Sequence, residues 1–154
     1  MGDNRKAFRD MIAMSELGAA LIAASDNGYN VLVGSTPKHP ILFSDYSKHP
    51  DILNRPLDST AAGRYQIVHG TYLSLCKMLG SYDFYPEDQD DMCDKLVCQR
   101  KAQADVDAGN LNEAILKCSN EWASLPGGNS GQHQNSFSDL RSWYLAAGGT
   151  LAAA

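Results

Sequence analysis

Over most of its length the chain sets apolar residues three or four positions apart, and that spacing is the strongest constraint on its fold. Phe8, Ile12 and Glu16 follow at steps of four with Met11 beside them, so residues 4–16 are expected to form a helix that shows all four on one face. Tyr65, Val68, Tyr72, Leu75, Cys76 and Leu79 carry the same period, which predicts a second helix over about 61–79 that closes at Gly80. A third is expected from Pro86, a good first-turn residue, with Met92, Cys93, Leu96 and Val97 inward. A short fourth covers about 101–107 and stops before Gly109. Asn110 and Glu113 have the spacing of a capping box for a fifth, whose inner side is Leu111, Ala114, Ile115, Cys118 and Trp122. The last spans about 136–147, with Phe137, Leu140 and Trp143 inward and Gly148 just past its end.

One segment breaks the helical period. Tyr29, Val31 and Val33 alternate with Asn30, Leu32 and Gly34, Ser35-Thr36-Pro37 turns the chain, and Ile41-Leu42-Phe43 follows. Residues 29–46 are therefore expected to form a small β hairpin or ribbon in the N-terminal third, and the fold class is α+β, mostly helical. With 154 residues, 44% hydrophobic and 20% charged, the chain has the composition of a single globular domain, taken as 1–154.

Composition narrows the function. A net charge of −5 argues against a nucleic-acid partner, because phosphate contacts come mainly from Lys and Arg. A mildly acidic surface is still compatible with an uncharged polysaccharide, bound by hydrogen bonds and ring stacking. The longest apolar run near the N-terminus, Ala19 to Ala24, is too short for a signal sequence or a membrane span, so cytosolic synthesis without stable membrane insertion is expected. Cys76, Cys93, Cys98 and Cys118 form no C-x-x-C pair and have no histidine at zinc spacing, so reduced thiols are expected, most of them buried. The four histidines are scattered, and no metal or cofactor is assigned.

Glu16 is the residue with the clearest chemical potential. Its spacing turns it toward the core side of the first helix, where low dielectric raises a carboxyl pKa. A carboxyl that stays protonated near neutral pH is what protonation of a glycosidic oxygen requires. A helix-end glutamate paired with Lys or Arg satisfies the same periodicity. The segment Ser59-Thr60-Ala61-Ala62-Gly63-Arg64-Tyr65-Gln66-Ile67 adds small residues that admit close backbone approach, followed by donors and a ring.

Together these blocks resemble the lysozyme superfamily, and more closely the lambda-type bacteriophage endolysins. The resemblance runs from about Arg5 to Thr150. It is carried by Arg5-Lys6-Ala7-Phe8, Ser15-Glu16, Gly28-Tyr29-Asn30-Val31, Phe43-Ser44-Asp45-Tyr46, His49-Pro50, Ser59 to Gln66, Cys118-Ser119-Asn120, Trp122-Ala123-Ser124-Leu125-Pro126-Gly127 and Ala147-Gly148-Gly149-Thr150.

The resemblance implies a lysozyme-like fold and a lytic transglycosylase that cuts the β-1,4 bond from N-acetylmuramic acid to N-acetylglucosamine in peptidoglycan and leaves a 1,6-anhydromuramoyl end. The family's catalytic glutamate falls on Glu16. Substrate contacts are expected from Tyr46, Ser59, Thr60, Arg64, Tyr65, Gln66 and Gln132. A hydrolysing muramidase would need a second carboxylate, for which Asp26 and Asp45 are the candidates, although Asp26-Asn27-Gly28 also reads as a turn. A non-catalytic wall-binding protein is the third reading. The resemblance further implies a monomer that accumulates in the host cytoplasm and depends on a holin to reach the periplasm.

The chain departs from the family pattern twice. Leu17 to Ser25 is apolar where the family has a polar lip; it is expected to extend the first helix or pack as a flap, with contact to a membrane or partner as the alternative. Asn129-Ser130-Gly131-Gln132 replaces the family's Gly-Tyr-Gly-Gln, so an aromatic has become Ser130.

Overall fold

The computed structural model describes residues 2–80, 83–128 and 133–153. Seven helices occur among them: α1 Gly2–Leu17, α2 Ala19–Ala23, α3 His69–Leu79, α4 Pro86–Gln99, α5 Gln103–Ala108, α6 Leu111–Cys118 and α7 Phe137–Ala146. The chain divides into two compact units, one made of Met1–Glu16 with Cys93–Ala154 and the other of Leu17–Met92.

The first unit follows the helical period closely. Helix α1 buries Phe8, Met11 and Ile12 as their spacing requires, with Ala7 and Ala13 filling the flanks. The inner faces of α4 and α6 bury Cys93, Leu96 and Val97, and Leu111, Ala114, Ile115 and Cys118. The side chain of Asn4 fixes the start of α1. Its Nδ2 donates to the Val106 carbonyl at 3.2 Å and its Oδ1 accepts from the Thr150 backbone N–H at 2.9 Å. Beyond α7 the chain returns to Gly109, where Ala152 N–H donates to the Gly109 carbonyl at 3.0 Å. Gly109 has φ +79°, and a Cβ there would lie 2.6 Å from both the Ala152 nitrogen and the Thr150 oxygen, so the contact requires glycine.

Two local expectations in this unit are corrected. Asn110 precedes α6 but makes no side-chain capping bond, so the expected capping box does not form. A side-chain cap is present at α7, where Ser136 Oγ accepts the Asp139 N–H at 3.1 Å. On α7 the fully buried residues are Leu140 and Tyr144, while Phe137 and Trp143 are only partly covered. The Tyr144 hydroxyl donates to the Thr150 carbonyl at 2.8 Å, which satisfies the polar end of a buried ring.

In the second unit the expected ribbon is reduced to isolated antiparallel bridges, Val31 with Leu42, Leu32 with Ala62, Asn54 with Ser59 and Ala62 with Ile67. Among the described residues no bridge grows into a continuous strand. The reason is local backbone geometry. Gly34, Asp51, Asp58, Gly63 and Gln66 all have positive φ and bend the chain every few residues. The same feature shortens the second helix. Instead of running from 61, it starts at His69, because Ala62 and Ile67 exchange backbone bonds of 3.1 and 3.0 Å across a tight loop that places Gly63 at φ +85° and Gln66 at φ +52°. Val68, assigned to the apolar stripe by its spacing, is exposed.

The apolar segment after Glu16 packs rather than projecting as a whole. Gly18, at φ +80°, ends α1, and the short α2 then buries Leu21. Cys76, Cys93 and Cys118 are buried free thiols and Cys98 is an exposed one. Among the described residues no helix is long and apolar enough to cross a membrane.

Candidate active site

Helix α1 sets the position of Glu16, one turn beyond the buried Ile12, near the point where Gly18 stops the helix. The residue is partly buried. Burial raises the pKa of its carboxyl, and hydrogen bonds from the side chain and backbone of Ser124 pull in the opposite direction without cancelling the rise. Among the described residues no ionic partner acts on it; the influences are burial and Ser124 rather than the helix-end ion pair that its periodicity also allowed.

Its partners come from far along the chain. The Ser124 hydroxyl donates to Glu16 Oε2. Ser15 Oγ lies 2.7 Å from Ser124 Oγ. Asn135 Nδ2 donates to Ser15 Oγ at 2.9 Å and to the Ser15 carbonyl at 3.1 Å, while Asn135 N–H donates to the Ser124 carbonyl at 2.8 Å. None of these three residues is among those the sequence nominates for the site. Ser15 and Ser124 stand inside the resemblance blocks, but Asn135 carries no signal.

The remaining candidates other than Gln132 are found in the second unit. The Tyr46 hydroxyl donates to Asp26 Oδ2 at 2.6 Å, and its ring meets those of Phe43 and Tyr85 at centroid distances of 5.5 and 6.1 Å. Burial and the Asp26 carboxylate push the Tyr46 phenol well above its ordinary range. Asp45 is exposed and accepts bonds from both the hydroxyl and the N–H of Ser47, which hold its carboxyl below the ordinary value. Both aspartates are thus engaged within their own unit.

In the segment 59–66 several polar groups are engaged by the protein itself. Ser59 Oγ accepts the Ala61 N–H at 3.1 Å, and Thr60 Oγ1 accepts the His69 N–H at 2.9 Å at the start of α3. Arg64 and Tyr65 are buried. The Arg64 guanidinium donates to the Asn27 carbonyl at 2.9 Å and stacks 5.5 Å from the Tyr29 ring centroid. The Tyr65 hydroxyl donates to Asp90 at 2.6 Å. Gln66 is partly exposed, and its amide donates to the Gly63 carbonyl at 2.8 Å. Gln132, with Asn129, Ser130 and Gly131, lies outside the described residues.

The first unit carries a partly buried acid bonded by a serine hydroxyl, and the second carries the partly exposed amide of Gln66. The chain belongs to the endolysin family, whose model, described as Endolysin, matches residues 6–151. It is 39% identical to the endolysin of Escherichia phage lambda, with 98% of this chain and 95% of that protein covered. It is 38% identical to the endolysin of Escherichia phage P2, with 97% and 95% covered. Among solved structures it is similar to bacteriophage lambda lysozyme complexed with a chitohexasaccharide, with a TM-score of 0.88, 40% identity and coverage of 98% of this chain and 97% of that one. A second structure of lysozyme from bacteriophage lambda aligns with a TM-score of 0.83 and 38% identity, over 98% and 97% of the two chains. The fold is therefore lysozyme-like.

Proposed function

We propose that this chain degrades host peptidoglycan at lysis by lytic transglycosylation, with Glu16 as its single acid and base. The observation that carries this reading is the state of Glu16: partly buried, raised in pKa, and held by a serine hydroxyl rather than a cation. The chitohexasaccharide bound to lambda lysozyme supports a β-linked amino-sugar strand as the substrate class.

The reaction begins with transfer of the Glu16 proton to the glycosidic oxygen. The C1–O bond of the muramoyl residue breaks, and its electron pair leaves with the N-acetylglucosamine hydroxyl. The muramoyl C6 hydroxyl then bonds to C1, and its proton returns to the Glu16 carboxylate. No water is consumed and no second carboxylate is needed. The engagement of Asp26 with Tyr46 and of Asp45 with Ser47 fits this one-carboxyl scheme. Tyr46 and Gln66 are assigned to glycan contact, helped by Ser59 and Thr60, while Arg64 and Tyr65 stiffen the loop that carries Gln66.

Mass spectrometry of muropeptides released from purified peptidoglycan tests the reaction type. The expected products end in 1,6-anhydromuramic acid; mainly reducing ends would instead establish hydrolysis. The same reading places the protein in the host cytoplasm as a monomer until a holin opens the membrane. Fractionation of cells lacking a holin should keep it with cytosolic markers, and periplasmic accumulation would contradict that route.

A further inference from the structure

Glu16, Ser124, Ser15 and Asn135 form a chain of hydrogen bonds whose direction can be worked out from chemistry. The Ser15 carbonyl has no proton, so the Asn135 atom 3.1 Å from it must be the amide nitrogen, which fixes the amide orientation. The same nitrogen then donates to Ser15 Oγ at 2.9 Å. With the Glu16 carboxylate as acceptor, Ser124 spends its one hydroxyl proton on Oε2. The 2.7 Å contact from Ser15 Oγ to Ser124 Oγ must therefore be a donation from Ser15. When Glu16 is ionised, both serine hydroxyls donate toward it, and one Asn135 N–H feeds the first of them.

We propose that Asn135, Ser15 and Ser124 are positioning residues that form a one-way donor relay, which takes up the negative charge developing on Glu16 as its proton leaves for the glycosidic oxygen. The relay rests on the reading of Glu16 as the catalytic acid and adds a means by which it releases its proton. Burial favours the protonated carboxyl, and by itself also makes it a more reluctant donor. Aligned hydroxyl dipoles supply stabilisation that grows as the charge forms, and they are already oriented before reaction. Asn135 gives the chain its direction, because an amide N–H cannot turn into an acceptor when the carboxyl is neutral. Among the described residues no charged group shares this role, since burial and the hydrogen bonds of Ser124 are the influences on the Glu16 carboxyl.

The test is a titration of the Glu16 side-chain carboxyl by carbon-13 NMR in the folded protein, paired with the pH dependence of kcat and KM on solubilised glycan strands. Removing a donor from a carboxylate raises its pKa. Ser124→Ala is expected to move the titration and the alkaline limb of kcat upward by about one pH unit. Ser15→Ala and Asn135→Ala should move both in the same direction by less, with KM unchanged, and Ser124→Thr should restore wild-type behaviour. Titrations of Ser15→Ala and Asn135→Ala that overlay the wild type would overturn the relay, as would an unshifted Ser124→Ala. A Glu16→Gln control separates the two claims. If it still cleaves glycan, the assignment of the acid fails; if it is inactive while the other variants titrate normally, only the relay fails.

Discussion

The amide of Gln89 occupies the space that a side chain on Gly63 would need. A Cβ on Gly63 would stand 2.3 Å from Gln89 Oε1, and Gly63 has φ +85° besides. Gln89 is fully buried, with each polar atom used. Its Oε1 accepts the Arg64 N–H at 3.0 Å, and its Nε2 donates to the carbonyls of Tyr29 at 3.0 Å and Phe84 at 2.9 Å. This amide therefore ties the start of α4 to the loop that carries Arg64, Tyr65 and Gln66.

Gln89→Leu keeps most of the volume but leaves one backbone donor and two carbonyls without that partner. The expected cost is about 3 kcal/mol or more, read as a lower midpoint in urea unfolding. Gly63→Ala should destabilise as well, through both the left-handed backbone and the collision. A midpoint for either variant equal to that of the wild type would refute the role given to this amide.

His49 predicts a pH dependence of stability. Its Nε2–H donates to the Ile67 carbonyl at 2.7 Å and its Nδ1 accepts the Asp51 N–H at 3.0 Å, so the buried ring is held neutral. Burial lowers its pKa. Above about 6.5, the usual histidine value, both folded and unfolded chains hold a neutral ring and His49 adds no slope. Below that the unfolded chain binds a proton that the folded site resists, so stability falls with pH until the folded ring is protonated too. Tm measured from pH 7 down to 5 should decline, and His49→Gln, although less stable at pH 7, should decline less steeply. Parallel slopes would remove His49 as the cause.

The thiols differ enough in exposure to be counted. Cys98 is exposed, whereas Cys76, Cys93 and Cys118 are buried and burial pushes the Cys118 thiol up to about 12. A thiol reagent at pH 8 should modify one cysteine promptly and the other three only after denaturant is added. Prompt loss of more than one thiol in the native protein would contradict the burial of the inner faces of α3, α4 and α6.

The helices of the first unit were legible in the sequence because their apolar period coincides with clear stops, such as Gly109 after α5 and Gly148 after α7. The loop from Ala61 to Val68 was not. Tyr65, Val68 and Tyr72 keep a helical spacing, yet Gly63 and Gln66 take left-handed backbone, and spacing does not register φ. The ribbon failed for a related reason, since alternation signals faces but not the bends that cut each pairing to a single bridge. Glu16 was legible as a position on a stripe. Its partner Ser124 lies 108 residues further on, a separation that no local pattern spans, so the hydroxyls that set its chemistry became visible only in the fold.

The central claim is that Glu16 supplies the proton for glycan cleavage, and the most direct measurement is the lysis rate of Glu16→Gln. The substitution keeps shape but cannot titrate. On outer-membrane-permeabilised Gram-negative cells the wild type should clear turbidity, and the folded variant should be slower by at least about a hundredfold. Clearing at the wild-type rate by Glu16→Gln would contradict the account.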